Sequence, residues 1–190
     1  MRSIEHIQTI FENIQPDPPL SPAQFESIAN RLNGSLGDSI FAVMKANSTF
    51  FDPTLVGYEA SIRNATPAVA ERRRVAFEKM KVIAARAASV GVPIITGTDV
   101  LERHGDMLLL ELERLVDIGL TAQQVLVAAT LTSAQAAQRP ELGRVMVGAP
   151  AAFIILDGNP LLDIKNLRAI SAVVLRKQLL DADELAKLRR

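Results

Sequence analysis

Apolar positions in this chain follow two spacings that alternate along it, one helical and one extended. Ile40, Phe41, Val43 and Met44 supply the apolar side of a helix expected from Asp38 to Ala46. Phe77, Met80, Ile83, Ala84 and Ala87 recur at three- and four-residue intervals, which predicts a longer helix from Pro67 to about Val90, stopped by Gly91. Ser21-Pro22 has the cap and first-turn signature of a further helix reaching about Leu32, closed by Asn33-Gly34. Between these lie short apolar runs. Thr49-Phe50-Phe51 with Leu55-Val56 reads as one strand broken at Asp52-Pro53, because the residue before proline is held extended. Gly91-Val92-Pro93-Ile94-Ile95-Thr96-Gly97-Thr98-Asp99 is an apolar strand that runs directly into a carboxylate. A strand, a long helix and a second strand predict parallel pairing of 92–96 with 49–56 through a right-handed crossover, with Asp99 at the carboxyl end.

Beyond Asp99 a loop leads to an amphipathic helix, Glu111 to Ile118, closed by Gly119, and then to the alanine-rich run Val125–Thr132. After Pro140 the pattern changes to short β-like pieces. Phe153 to Leu156 predicts a strand, Asp157-Gly158-Asn159-Pro160 a turn, and Ile170 to Leu175 with Gln178 to Leu180 a hairpin. Asp181 to Arg190 reads as a terminal helix started by Asp181 or Asp183. Near the other end, Pro16, Asp17, Pro18 and Pro19 form a loop that cannot continue a helix.

Composition narrows the classes. Lysine plus arginine equals aspartate plus glutamate at 21 each, so no surplus charge gathers nucleic acid or an anionic membrane. The best candidate for a basic patch, Arg72-Arg73-Arg74, lies between Glu71 and Glu78 in the long helix and reads as a solvated face. Hydrophobic residues make up 48% and charged residues 22%, close to the globular average and sufficient for a sizeable core. No run approaches about 18 uncharged apolar residues, and Met1–His6 lacks a signal-peptide core. The absence of cysteine excludes disulfides and thiolate metal sites and fits a reducing compartment, so a cytoplasmic location is expected.

Few residues can carry chemistry. An acid at the carboxyl end of a strand stands where α/β sheets and barrels build their sites, although Asp99 also suits an Asx turn closing that strand. The chain has two histidines, His6 and His104. Taken alone, His6 reads as a surface residue near the chain start and His104, beside Gly105-Asp106, as an exposed loop residue with substrate contact as the alternative. Asp52 before Pro53 reads as a structural Asx turn.

The ordered set adds a further reading. Ser3-Ile4-Glu5-His6, Phe51-Asp52-Pro53-Thr54-Leu55, Ile94-Ile95-Thr96-Gly97-Thr98-Asp99, the helix at Glu111-Leu112, Leu142-Gly143, Val147-Gly148 and Phe153-Ile154-Ile155-Leu156-Asp157-Gly158-Asn159-Pro160-Leu161 occur in one order. That order resembles the carboxyl-terminal part of the metal-dependent amidohydrolase superfamily, in its imidazolonepropionase-like branch. The resemblance implies an α/β fold: strands six to eight of a (β/α)8 TIM-type barrel over 1–139, then remnants of a small composite β-sandwich and a terminal helix over 140–190. It implies that His6 and Asp99 descend from metal ligands, that the metal is divalent and most simply zinc, and that Asp99 is also the catalytic proton acceptor. It implies hydrolysis of an amide, cyclic amide or related ester in a small-molecule substrate. A full barrel needs about 250 residues, so this chain of 190 is expected to be a fragment lacking strands one to five and their ligands. A catalytic zinc takes about three protein ligands plus water, and two matches leave the chain inactive alone. The other reading is a catalytically silent scaffold or binding fragment. Either implies self-association or a partner chain supplying the missing strands. Three positions depart from the family pattern: Leu109 stands where a histidine is common, Ala151-Ala152 where Ala-Asp is common, and Arg176-Lys177-Gln178 lacks the usual turn glycine.

Overall fold

The computed structural model describes residues 2–14 and 21–188; the proline-rich loop expected at 16–19 lies outside the described residues. The chain divides into two compact units, Met1–Leu120 and Thr121–Arg190. The helical stretch at 122–136 therefore groups with the carboxyl-terminal strands, whereas the sequence suggested a break after 139.

The first unit is built on parallel extended segments. β1 (Ser3–Glu5) pairs in parallel with β2 (Phe50–Asp52), with Ile4 opposite Phe51 and Glu5 opposite Asp52. Phe51 also forms a parallel bridge to Ile94: its N–H donates to the Pro93 carbonyl at 2.9 Å, and the Ile95 N–H donates to the Phe51 carbonyl at 2.9 Å. The expected parallel pairing of 92–96 with the segment around Phe51 is thus observed, and it places β2 between β1 and the 92–96 segment. Ladder pairing around 92–96 is limited to that bridge, and Pro93 has no N–H to contribute. All three residues of β2 are buried, as a central strand requires.

Helices surround these segments: α1 (Ile7–Ile14), α2 (Pro22–Leu32), α3 (Ser35–Ala46), α4 (Leu55–Arg63), α5 (Pro67–Ser89) and α6 (His104–Asp117). α2 begins with a capping box between Ser21 and Gln24 and has Pro22 in its first turn, as its sequence signature required. α5 buries Phe77, Met80, Ile83, Ala84 and Ala87, the five positions expected from spacing, and gives way to Gly91 at φ +88°. Arg86 of α5 closes the α2–α3 junction, donating to the Leu32 carbonyl at 2.8 Å and to Asp38 at 2.6 Å. Phe25 of α2 stacks on Phe11 of α1 with ring centres 4.5 Å apart.

Two expectations are corrected here. Leu55-Val56 does not continue the strand but forms the first turn of α4, because Thr54 at φ 47°, ψ 49° takes the chain out of the extended direction. α6 starts at His104, well before Glu111, so His104 is its first residue and not part of a loop. Arg103, in the left-handed region, precedes it and bonds Asp106 in the first turn, where an acid suits the helix dipole.

In the second unit, α7 (Ala122–Val127), a π-helical turn (Ala128–Thr132) and α8 (Ser133–Ala136) run on from one another. A three-stranded antiparallel sheet follows in the order β3 (Ala152–Leu156), β4 (Ile170–Leu175), β5 (Gln178–Leu180), with a register shift at Ile155/Leu156. The hairpin falls where it was expected. Its turn residues Arg176 and Lys177 both take positive φ, 51° and 68°, the conformation that the missing glycine would have eased. α9 (Ala182–Leu188) is capped by Asp181, which accepts the Glu184 N–H at 3.0 Å. β3 stands at the sheet edge, and its residues Ala152, Phe153, Ile154 and Ile155 are all exposed. Among the described residues no helix is long and apolar enough to cross a membrane.

Candidate active site at the carboxyl ends of three parallel segments

Each parallel segment ends in a residue, or is followed within a few by one, that turns the backbone into the left-handed region: His6 at φ 67°, Thr54 at 47° and Asp99 at 49°. For a non-glycine residue this costs about 1–2 kcal/mol, and for a β-branched one such as Thr54 it is a marked outlier. Conformations of this kind persist only where surrounding contacts hold them. Here the contacts are explicit. The His6 N–H donates to the Asp52 carbonyl at 2.9 Å and the Ile7 N–H to the Pro53 carbonyl at 3.1 Å, which carries the β1–β2 pairing past the strand ends.

These turns bring side chains together. His6 Nδ1 lies 3.8 Å from Asp99 Oδ2 and 3.0 Å from Thr54 Oγ1. The Asp99 side chain is 65% exposed and so can reach a solvent molecule or a ligand. Between them, Asp52 is only 6% exposed, and its Oδ1 accepts the Thr54 N–H at 3.3 Å and the Gly97 N–H at 3.0 Å. The first bond is the Asx turn that the sequence suggested; the second ties β2 to the segment bearing Asp99. Burial, aided by the Glu5 carboxylate, pushes the Asp52 carboxyl up to about 6 against the downward pull of the two N–H donors and of His6.

Gly97 is required by this packing. A methyl group there would overlap Asp52 Oδ2, so Gly97→Ala is expected to displace the carboxylate and lower stability by about 1–3 kcal/mol. Urea denaturation checks this, and the loss should shrink when Asp52→Ala has already removed the obstructing oxygens.

Glu111 is the residue the sequence reading missed. It is 0% exposed, and its two oxygens accept the Leu55 N–H at 3.0 Å and the Val56 N–H at 2.7 Å, the first two donors of α4. Burial raises its carboxyl to about 8; the two N–H donors oppose this, and Asp52 and Glu59 add to it. The sequence does hold a signal, since Glu111 lies four residues from the buried Leu115 and beside the buried Leu112. An acid on the apolar side of a helix needs a buried partner.

Of the residues singled out beforehand, His6 and Asp99 are brought together. His104 is exposed at the start of α6, and among the described residues no hydrogen bond or ion pair joins it to either. Among the described residues no group of three or more His, Cys, Asp or Glu could hold a metal ion. His6 and Asp99 offer two donors where a catalytic zinc takes about three. The described donor set therefore does not fit a complete metal site.

Comparison with known proteins fits this geometry. The amidohydrolase family profile matches residues 31–178. The chain belongs to the amidohydrolase family. Amidohydrolases generally use divalent metals. Among solved structures, a bottromycin amidohydrolase is 23% identical with a TM-score of 0.68, over 99% of this chain and 47% of its own length. The A. niger ochratoxinase is 24% identical with a TM-score of 0.67, over 76% of this chain and 35% of its own. A Xaa-Pro dipeptidase with bound methionine in its active site is 24% identical with a TM-score of 0.65, over 75% and 37%. At these identities the likeness is one of fold. This amidohydrolase chain spans less than half the length of each of the three. None of the curated proteins compared matches it.

Proposed function

We propose that the chain is the carboxyl-terminal part of a metal-dependent amidohydrolase barrel, with β1, β2 and the 92–96 segment as strands six, seven and eight, and residues 140–190 as the β-sandwich remnant. The ordered motifs favour the imidazolonepropionase-like branch. The observation that carries the reading is the convergence of His6 and Asp99, 3.8 Å apart, at one end of parallel segments in family order. The complete protein hydrolyses a C–N bond of an amide or cyclic amide, or a related ester; the names of the solved neighbours, a dipeptidase and an amidohydrolase, support that class.

In this reading Asp99 takes a proton from the water whose oxygen bonds to the carbonyl carbon, and returns it to the nitrogen as the C–N bond breaks. His6, held by Thr54, orients that water. The metal would supply Lewis acidity, and we propose that its remaining ligands come from strands one to five, outside this chain. His104 is a candidate substrate contact from the start of α6.

The test is complementation. The segment encoded upstream of Met1, searched for an in-frame His-x-His, is added in trans with zinc, and hydrolysis of N-acyl amino acids and dipeptides is followed. Activity is expected from the mixture and not from the 190-residue chain alone. Robust zinc-dependent hydrolysis by the chain alone would overturn the fragment reading. The donor count favours a second reading, a catalytically silent binding fragment: tight association with the added segment and no hydrolysis of any amide or ester would establish it.

A further inference from the structure

Thr54 is the N-cap of α4, yet its hydroxyl makes no cap bond. A threonine in that position ordinarily accepts an N–H of the first helical turn. Here the hydroxyl lies instead 3.0 Å from His6 Nδ1. The orphan donors of α4 have not been left unpaired: Glu111, some 55 residues away in sequence, reaches across from α6 and takes the Leu55 and Val56 N–H groups, one on each oxygen. The cap has been moved to a different side chain. The Thr54 backbone is fixed at the same time, its N–H bound to Asp52 Oδ1 at 3.3 Å and its φ held at 47°.

We propose that Glu111 is a positioning residue for His6: by capping α4 in place of Thr54, it leaves the Thr54 hydroxyl free to hold the His6 ring and anchors the turn that aims it. Three features support this together. Glu111 is wholly buried, both its oxygens are engaged, and both engaged donors follow Thr54 directly in the chain. Without the clamp, the least costly rearrangement is for Thr54 to leave its strained conformation and cap α4 itself. That movement takes the hydroxyl from His6. The relevance of this to hydrolysis rests on the proposed function, but the ring placement does not, so the two can fail separately.

The chain has only two histidines, and His104 is exposed, which makes it an internal reference. Histidine is labelled with 15N on the ring, and the ring nitrogens are read by NMR at one fixed pH in the intact chain, with no metal and no substrate. Thr54→Val should move the His6 signals toward those of His104 and leave His104 unchanged. Glu111→Gln should move His6 the same way, because one oxygen is replaced by an NH2 group that cannot accept. Glu111→Asp, which keeps both acceptors but retracts them, should give an intermediate shift, and it serves if the glutamine variant does not fold. Ile83→Val, a core truncation in α5, should leave His6 in place. The proposal is overturned if folded Glu111→Gln or Glu111→Asp leaves His6 unmoved, or if Ile83→Val moves it equally. Loss of hydrolysis in the complemented protein with His6 unmoved would sustain the hydrolase reading and reject this one.

Discussion

Asp99→Asn is expected to lower hydrolysis by the complemented protein by about 10²–10⁴-fold, the range for a positioned proton-transfer group, while leaving assembly with the added segment intact. Asparagine is the informative replacement because Asp99 sits at φ 49°, and asparagine tolerates that region nearly as well as aspartate. It removes the charge and the proton acceptor but not the turn. Asp99→Ala removes both, so it should abolish activity and also cost about 1–2 kcal/mol of stability through backbone strain. Steady-state rates at saturating zinc, paired with sedimentation of the mixed chains, separate the two effects. Wild-type rates in Asp99→Asn would show that the carboxylate takes no part in the proton transfer.

The largest loss of stability is expected from Glu111→Ala. It leaves the Leu55 and Val56 N–H groups without their acceptor in a site closed to water, at about 1–3 kcal/mol each, and opens a cavity besides. A total of about 3–5 kcal/mol is expected, a large part of the stability of a small domain. Denaturant midpoints measure it, and a change below about 1 kcal/mol would mean that water or another side chain reaches α4. Glu111 also leaves a mark in pH dependence. Its folded carboxyl lies near 8 and its ordinary value is 4.5, so between those values the folded state binds the extra proton. Its contribution is full below pH 4.5 and is lost as pH rises through about 8. Asp52 acts with the same sign in a lower window, from 3.8 to about 6. Glu111→Gln should therefore flatten the decline between pH 4.5 and about 8, and the decline that remains, between 3.8 and about 6, is that of Asp52.

Local pattern made much of this legible. The α5 core positions, the Gly91 stop, the hairpin of β4 and β5 and the Asp181 cap all depend on residues close in sequence. The pairing of 92–96 with β2 followed from the order of elements alone. What escaped depends on distance. Leu55-Val56 has an extended-looking composition, and only the Thr54 turn and a carboxylate from α6 make it helical. The spacing of Glu111 from Leu112 and Leu115 puts an acid on the apolar side of α6 but does not name its partners, which are backbone donors of α4 some 55 residues away. The candidate site was legible as two residues, His6 and Asp99, and not as an arrangement, since neither the Thr54 hydroxyl nor the Asp52 bridge to Gly97 could be inferred from local sequence.

Among the described residues β3 pairs only with β4, so one of its edges is open to recognition. A free strand edge offers N–H and C=O groups at a regular spacing to any extended chain, and those groups are blind to sequence. Discrimination must therefore lie in the side chains, Phe153 and Ile155 toward one face and Ile154 toward the other. No charge interrupts β3, and the first acid after it is Asp157. A correct neighbour and an incorrect one would then differ only in how well they fill the spaces around three apolar side chains, a contrast of shape with no electrostatic veto.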